Sequence, residues 1–416
     1  MFLLSRALTF IVRTGTLHVI DAGGKRHAFG NGQAPAVTIR FHDRWTPTRI
    51  ALNPSLGVGE AYMDGRMTIE EGGDIFAFLD LVVGNMRWER GSPFHVQRFP
   101  RLKQFISWLH QINPAERSQR NVAHHYDLSG KLYDLFLDKD RQYSCAYFPT
   151  GGEDLETAQL LKKAHIAAKL LLKPGQRVLD IGSGWGGLGL YLNRVAGVSV
   201  TGVTLSEEQH ALSNERARAA GVADRVKFRM QDYRGLTEKF DRVVSVGMFE
   251  HVGAPHYDRF FGKLHDVLAE DGVALLHTIG RADGPGRTDP WTRKYIFPGG
   301  YVPSLSEIAP AIERAGLYIT DLEVLRLHYA RTLRHWYDRT RANRDQIIAL
   351  YDERFLRMWE FYLAGAWTAF AHSGHVVFQF QLAKRQDAAP LSRDYMAEAE
   401  RRYLALEKAP HTEVAE

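Results

Sequence analysis

A chain of 416 residues, 45% hydrophobic and 24% charged, has the composition of a globular protein of two or three domains with a sizeable core, which excludes a disordered chain. The formal net charge of +5 is small for this length, and no concentrated basic stripe marks a nucleic-acid binder. The single cysteine, Cys145, excludes an intramolecular disulfide and a cysteine-rich zinc site, and points to a reducing, cytoplasmic setting.

The chain starts MFLLSRALTFIVRTG. Arg6 and Arg13 interrupt its apolar run and no small-residue cleavage site follows, so it does not read as a signal peptide. Leu4, Ala7, Leu8 and Ile11 fall at i, i+3, i+4 and i+7, which predicts an amphipathic helix with one oily face. That face either lies on a membrane or docks on its own domain. Residues 1–110 hold 13 Lys and Arg against 9 Asp and Glu, so most of the net charge sits beside this helix. The arrangement suits an anionic membrane surface, and equally a solvated face with no partner.

Between residues 16 and 41, TLHVI and VTIRFH alternate as strands around the turn chemistry of DAGGKR, with Val37, Ile39 and Phe41 on one side. A small α+β domain is expected up to about residue 110. Residues 111–125 are polar and broken by Pro114, and read as a linker or cover segment. The adjacent His124 and His125 lack helical ligand spacing and a completing carboxylate pattern, so no metal is expected.

From residue 174 strands and helices alternate. QRVLDIGSGWGG is a strand and a glycine turn leading into a helix; VSVTGVTLSEEQ is a strand and a helix start; VKFRMQD, FDRVVSVG and GVALLHTIG are further strands. This rhythm predicts a mainly parallel sheet with helices on both faces and a ligand crevice at the carboxyl ends of the strands. After WTRKYIFPGGYVPS the chain reads as aromatic and helical, with Tyr329, Trp336, Tyr337, Tyr351, Phe355, Trp359, Phe361 and Trp367 at near-helical intervals. Such stripes are core or, on a second reading, the wall of an apolar tunnel. The uncharged run at 361–383 is long enough to cross a bilayer, but its histidines, glutamines and Ser-Gly are too polar, and no transmembrane helix is expected. The tail at 386–416 is charged and helical in pattern, with no evident role.

Gly182, Gly184 and Gly186 crowd the first strand end, where a close backbone approach and unpaired helix N–H groups suit a ligand. Gly187 completes a dinucleotide fingerprint, but the next strand ends in Thr204 and Ser206 instead of the acidic residue a ribose diol needs, which disfavours NAD. S-adenosylmethionine has no pyrophosphate and fits better: its carboxylate can use the helix end, Thr204 and Gln209 the ribose, Gln231 or Asp232 the adenine. A tight turn without ligand is the plain alternative.

Five motifs in one collinear order, QYSCAYF, VLDIGSGWGG, GVTLSEEQ, VSVGMFEHVG and LLHTIG, resemble the cyclopropane-fatty-acyl-phospholipid synthase family, and the earlier GVGEAYMDGRMTIE is similar too. The resemblance runs from about residue 120 to 385. Ser183 stands where the family usually has cysteine, a small replacement that leaves the turn intact. The fold implied is α/β: a class I methyltransferase, Rossmann-like, mainly parallel sheet with helices on both faces, plus the smaller N-terminal α+β domain. The domains are then 1–110, lipid or membrane associated; 111–125, linker; 126–385, catalytic; and 386–416, tail. The cofactor set is Tyr143, Ser144, Asp180, Gly182, Ser183, Gly184, Gly186, Thr204, Ser206, Gln209, Gln231 and Asp232, with Tyr143 and Ser144 matching a cofactor-lid segment.

The family bridges a cis double bond in a membrane lipid chain. An alkene is a feeble nucleophile, so the methyl sulfonium must be held in line with its π face. Transfer leaves a carbocation that water would capture, which calls for a closed apolar tunnel. A base then removes a proton from the new methyl so that the ring closes, while an aromatic wall can stabilise the cation. Family members hold bicarbonate as that base, and its cage carries over onto Cys145, Glu250, His277, Ile279 and Tyr329. Donors for the anion would be His277, the Tyr329 hydroxyl and backbone N–H groups, with Glu250 orienting His277 or accepting the ion's own proton. Cys145 would sit at the rim between cage and tunnel, the plain alternative being a small buried hydrophobe. The partner implied is an unsaturated phospholipid in a bilayer, reached by peripheral association with the inner membrane face, and a homodimer is compatible with this. Two rivals stand beside cyclopropanation: C-methylation giving a methylidene or methyl-branched chain, and a lipid-binding module without catalysis.

Overall fold

The computed structural model describes residues 1–86 and 130–408. These form two compact units, one of residues 1–86, 287–298 and 329–375, the other of 130–286, 299–328 and 376–408. The expected linker at 111–125, with His124 and His125, and the end of the tail lie outside the described residues.

The first unit is built on four strands, β1 (Thr16–Ile20), β2 (Arg26–Gly30), β3 (Ala36–Phe41) and β4 (Met67–Glu70), in the order β2-β1-β3-β4. β1 runs antiparallel to β2 and parallel to β3, and β3 runs antiparallel to β4. Asp21 closes the β1–β2 hairpin by accepting the N–H groups of Gly23 and Lys25, as the turn residues led one to expect. Alternation places Val37, Ile39 and Phe41 in the core. The helix Phe2–Ile11 buries Leu4 and Leu8 against the helix Thr46–Leu52 and β2. Its oily face is thus docked on its own unit, while Phe2, Leu3 and Phe10 stand 73%, 51% and 47% exposed on the other side.

The long helix Glu353–Ala371 packs on the helices Pro54–Met63 and Ile75–Gly84. The aromatic stripe is largely core: Tyr329, Trp336, Tyr337 and Trp359 are buried, while Tyr351, Phe355, Phe361 and Trp367 are half-buried. The uncharged run at 361–383 is split, because the helix ends at Ala371 and a strand begins at His375. No described helix is long and apolar enough to cross a membrane.

The second unit carries seven strands: β5 (Arg177–Ile181), β6 (Ser199–Thr204), β7 (Val226–Met230), β8 (Phe240–Val246), β9 (Leu268–Arg281), β10 (Tyr318–Leu325) and β11 (His375–Ala383). Their order is β10-β11-β9-β8-β5-β6-β7. β5 to β9 pair in parallel, and β10 with β11 antiparallel. The chain winds from β5 outward to β7 and then returns to β8, so the winding reverses between β5 and β8, and a crevice opens at their carboxyl ends. Both faces are covered. One core includes residues of the helices Tyr257–Val267 and Leu305–Arg314, the other residues of Leu155–Lys169, Gly187–Ala196 and the tail helix Asp394–Lys408. β10 and β11 were not expected from the sequence, where this stretch reads as helical.

Candidate active site

A cleft of about 1350 Å³, counting its open mouth, lies over the carboxyl ends of β5, β6 and β8. Gly182, at φ 82°, turns the chain out of β5, and a Cβ there would come within 2.8 Å of Met248 Cβ. The turn therefore requires glycine. Of the expected cofactor set, Tyr143, Ser144, Asp180, Gly182, Ser183, Gly184, Thr204, Gln209, Gln231 and Asp232 line the cleft. Thr204 Oγ1 donates to Gln209 Oε1 at 2.8 Å, and Asp232 is paired with Arg234. Gly186 and Ser206 do not line it. Gly186 lets the helix Gly187–Ala196 approach Phe228, whose Cζ a Cβ would meet at 2.7 Å, and Ser206 caps the helix Glu207–Ala219 by accepting the Gln209 N–H.

Three polar groups in the cleft are held in unusual states. Asp180 is 2% exposed, its Oδ2 has no hydrogen-bond partner, and burial pushes its carboxyl up to about 7. Ser183 Oγ is likewise buried without a partner. Lys162 is fully buried, which pulls its ammonium down to about 8, and its Nζ donates to Gln142 Oε1 at 2.7 Å and to Ser144 Oγ at 2.8 Å. Unpartnered buried polar atoms are rare, and beside a cleft they mark where a ligand completes the bonding. The α-amino acid end of S-adenosylmethionine carries one ammonium and one carboxylate, matching the unpaired carboxyl and the buried lysine in kind. Sequence reading missed Lys162, Trp185 and His251 in this lining. His251 is pulled down to about 4 by burial and is neutral. Lys162 sits in LKKAHIAAK, whose lysines look solvent-facing, so nothing in the sequence marks it.

The residues expected around a catalytic anion fall as follows. Glu250 lies in the short 3₁₀ turn Phe249–His251 after β8; its Oε1 accepts the Ile279 N–H at 2.6 Å and its Oε2 is buried without a partner. Burial holds this carboxyl above the usual range. The N–H of Ile279, one of the expected cage positions, is therefore committed to Glu250. His277, two residues earlier on β9, is buried, and its Nδ1 bonds Gln379 Nε2 at 3.0 Å; the orienting partner is Gln379 instead of Glu250. Cys145 is fully buried and its Sγ donates to Ala146 O at 3.3 Å. Tyr143 beside it packs edge-on against Tyr133 and Phe136, whereas Tyr147 stacks flat on His165 with ring centroids 4.2 Å apart. Tyr329 belongs to the first unit, at the start of the helix His328–Ala342, its ring against Trp336 and Phe370. Among the described residues no group of three or more His, Cys, Asp or Glu side chains could hold a metal ion.

A mainly parallel seven-stranded sheet, helices on both faces and a polar cleft at the switch point define a class I S-adenosylmethionine-dependent methyltransferase fold. Known proteins narrow this. The family described as mycolic acid cyclopropane synthetase matches residues 113–380, and a domain of unknown function matches residues 13–86. The chain is 41% identical over 342 residues to the cyclopropane-fatty-acyl-phospholipid synthase of Escherichia coli (strain K12), covering 82% of this chain and 86% of that protein. It is 34% identical over 399 residues to the tuberculostearic acid methyltransferase of Mycobacterium tuberculosis (strain ATCC 25618 / H37Rv), covering 89% of each. Two solved structures are similar with TM-scores of 0.61: a cyclopropane synthase from Mycobacterium tuberculosis, at 32% identity over 66% of this chain and 99% of that one, and a mycolic acid cyclopropane synthase complexed with SAH and CTAB, at 34% over 65% and 99%. The chain belongs to the mycolic acid cyclopropane synthetase family, and is an enzyme of the methyltransferase class.

Proposed function

We propose that this enzyme transfers a methylene group from S-adenosylmethionine to the cis double bond of an unsaturated phospholipid acyl chain, leaving a cyclopropane. The observation that carries the reading is the Glu250 carboxyl, with one oxygen tied to Ile279 and the other buried without a partner. Burial raises this carboxyl above its usual range and so favours its protonated form, in which Glu250 meets an anion as a hydrogen-bond donor and not as a repelling charge. His277, neutral because burial pulls it well below its usual range, is a second donor. Glu250, His277, Cys145 and Ile279, all of the second unit, are the residues assigned to a bicarbonate site. Bicarbonate bound there supplies the base that a buried carbocation needs.

The chain's own residues do the rest. Asp180 takes the ammonium of S-adenosylmethionine, Lys162 its carboxylate, Thr204 and Gln209 the ribose, and Gln231 and Asp232 the adenine. Tyr143 and Ser144 cover the cleft. Access to the lipid is by peripheral contact of the N-terminal domain with the inner membrane face: Phe2, Leu3 and Phe10 are exposed, with Arg6 and Arg13 laid over the Phe2 and Phe10 rings. Apolar side chains interleaved with arginine suit an anionic lipid surface. The test is turnover on unsaturated phospholipid vesicles in carbonate-free buffer. Product formation should fall and return when bicarbonate is restored; turnover indifferent to bicarbonate removes the anion from the mechanism.

A further inference from the structure

A chain of buried polar groups runs away from His277. Lys169 Nζ donates to Gln379 Oε1 at 2.7 Å, and Gln379 Nε2 faces His277 Nδ1 at 3.0 Å. An ammonium has no lone pair, so the amide end that meets Lys169 must be the oxygen, and the end that meets His277 must be the NH₂. That NH₂ can only donate. Nδ1 of His277 therefore accepts, and the single hydrogen of the neutral ring resides on Nε2.

We propose that Gln379, itself fixed by Lys169, is a positioning residue that locks His277 in the Nε2–H tautomer and so provides an N–H donor on the ring edge opposite Gln379. The value of that donor to catalysis rests on the proposed anion site; the tautomer does not. Burial and the charges of Lys162 and Lys169 keep the imidazole neutral.

Lys169 is held in turn. It pairs with Glu323, which stands directly opposite Gln379 in the β10–β11 ladder. Glu323 also accepts from His165 Nε2 at 2.6 Å, and His165 Nδ1 donates to Glu400 of the tail helix at 2.6 Å. With carboxylates at both nitrogens His165 is an imidazolium, and two cations balance two anions. His165 and Lys169 are four residues apart on one helix, so they share a face, and Tyr147 stacks flat on the imidazolium. The tail helix, without a role on the sequence alone, thus anchors the far end of the chain that sets the His277 proton.

The test uses the full chain labelled with ¹⁵N-histidine, the His277 signals being assigned by their loss in His277→Ala. Wild type at neutral pH should show a hydrogen-bearing Nε2 and a bare, accepting Nδ1. In Gln379→Glu a carboxylate replaces the donor, so the hydrogen should move to Nδ1 or the ring become an imidazolium, with kcat down about 10–100-fold and S-adenosylmethionine affinity within about twofold. A hydrogen on Nδ1 in wild type overturns the proposal, whether or not the variant folds; so do unchanged His277 signals or unchanged kcat in Gln379→Glu. Turnover indifferent to bicarbonate, with the Nε2–H signal intact, would sink the anion reading and leave this assignment standing.

Discussion

Asp180→Asn keeps the shape of the side chain and removes its titration. An ordinary carboxyl of 3.8 that ionises at about 7 in the folded protein corresponds to about 4 kcal/mol, at about 1.36 kcal/mol per pH unit. The unfolded chain releases this proton near 3.8 and the folded chain near 7. Between those values the unfolded state holds fewer protons, so rising pH destabilises the wild-type fold, and above the folded value the loss is complete. The asparagine variant escapes this loss. Its stability relative to wild type should therefore grow by up to about 1.4 kcal/mol per pH unit, or about 2.3 kcal/mol from about pH 5 to about pH 7, where the folded-state carboxyl is half ionised. Lys162 titrates above this window and keeps its charge throughout. Urea unfolding of the cofactor-free enzyme at several pH values, followed by tryptophan fluorescence, measures the difference. The same variant should bind S-adenosylmethionine about tenfold or more weakly, because the ammonium loses its carboxylate partner. A stability difference that does not change with pH would refute the argument that Asp180 is buried as a neutral acid.

Three other outcomes are expected. Glu250→Gln retains an acceptor for the Ile279 N–H and a neutral donor, so its turnover should exceed that of Glu250→Ala at least about tenfold, and the alanine variant should lose about 1–3 kcal/mol of stability by orphaning that N–H; equal turnover would end the donor role. His277→Ala should abolish product formation and leave S-adenosylmethionine affinity within about twofold, as titration calorimetry beside a product assay will show. Replacing Phe2 and Phe10 together by alanine should weaken sedimentation with anionic vesicles by about tenfold or more, since each buried phenylalanine contributes about 1.5–3 kcal/mol, and vesicle binding equal to wild type would place membrane contact elsewhere.

The parallel half of the sheet was legible because its strands are short apolar runs punctuated by glycine, and the turn at Gly182 carries its reason in its residue type. β11 was not, because HVVFQFQLA follows a long aromatic helix with only Ser373 and Gly374 to mark the break, and its two glutamines look like surface residues. Both are buried, Gln379 between Lys169 and His277 and Gln381 against the Lys169 carbonyl and Tyr395. The cleft was legible in the same uneven way. Residues on the turn and strand ends were readable from spacing, whereas Lys162 and Gln379 reach their positions only through tertiary packing of elements far apart in sequence. The oily face of the first helix was correctly read as amphipathic, but periodicity gives the direction of a face and not what covers it. Here the domain's own helix and strand cover it.

The measurement closest to the central claim is the fate of the transferred carbon. With methyl-deuterated S-adenosylmethionine and unsaturated phospholipid vesicles, deuterium NMR and mass spectrometry of the released acyl chains should find the new carbon in the upfield cyclopropane region, carrying two of its three deuterons. A methyl signal with all three deuterons, or an olefinic methylidene signal, would contradict ring closure and assign the enzyme to C-methylation.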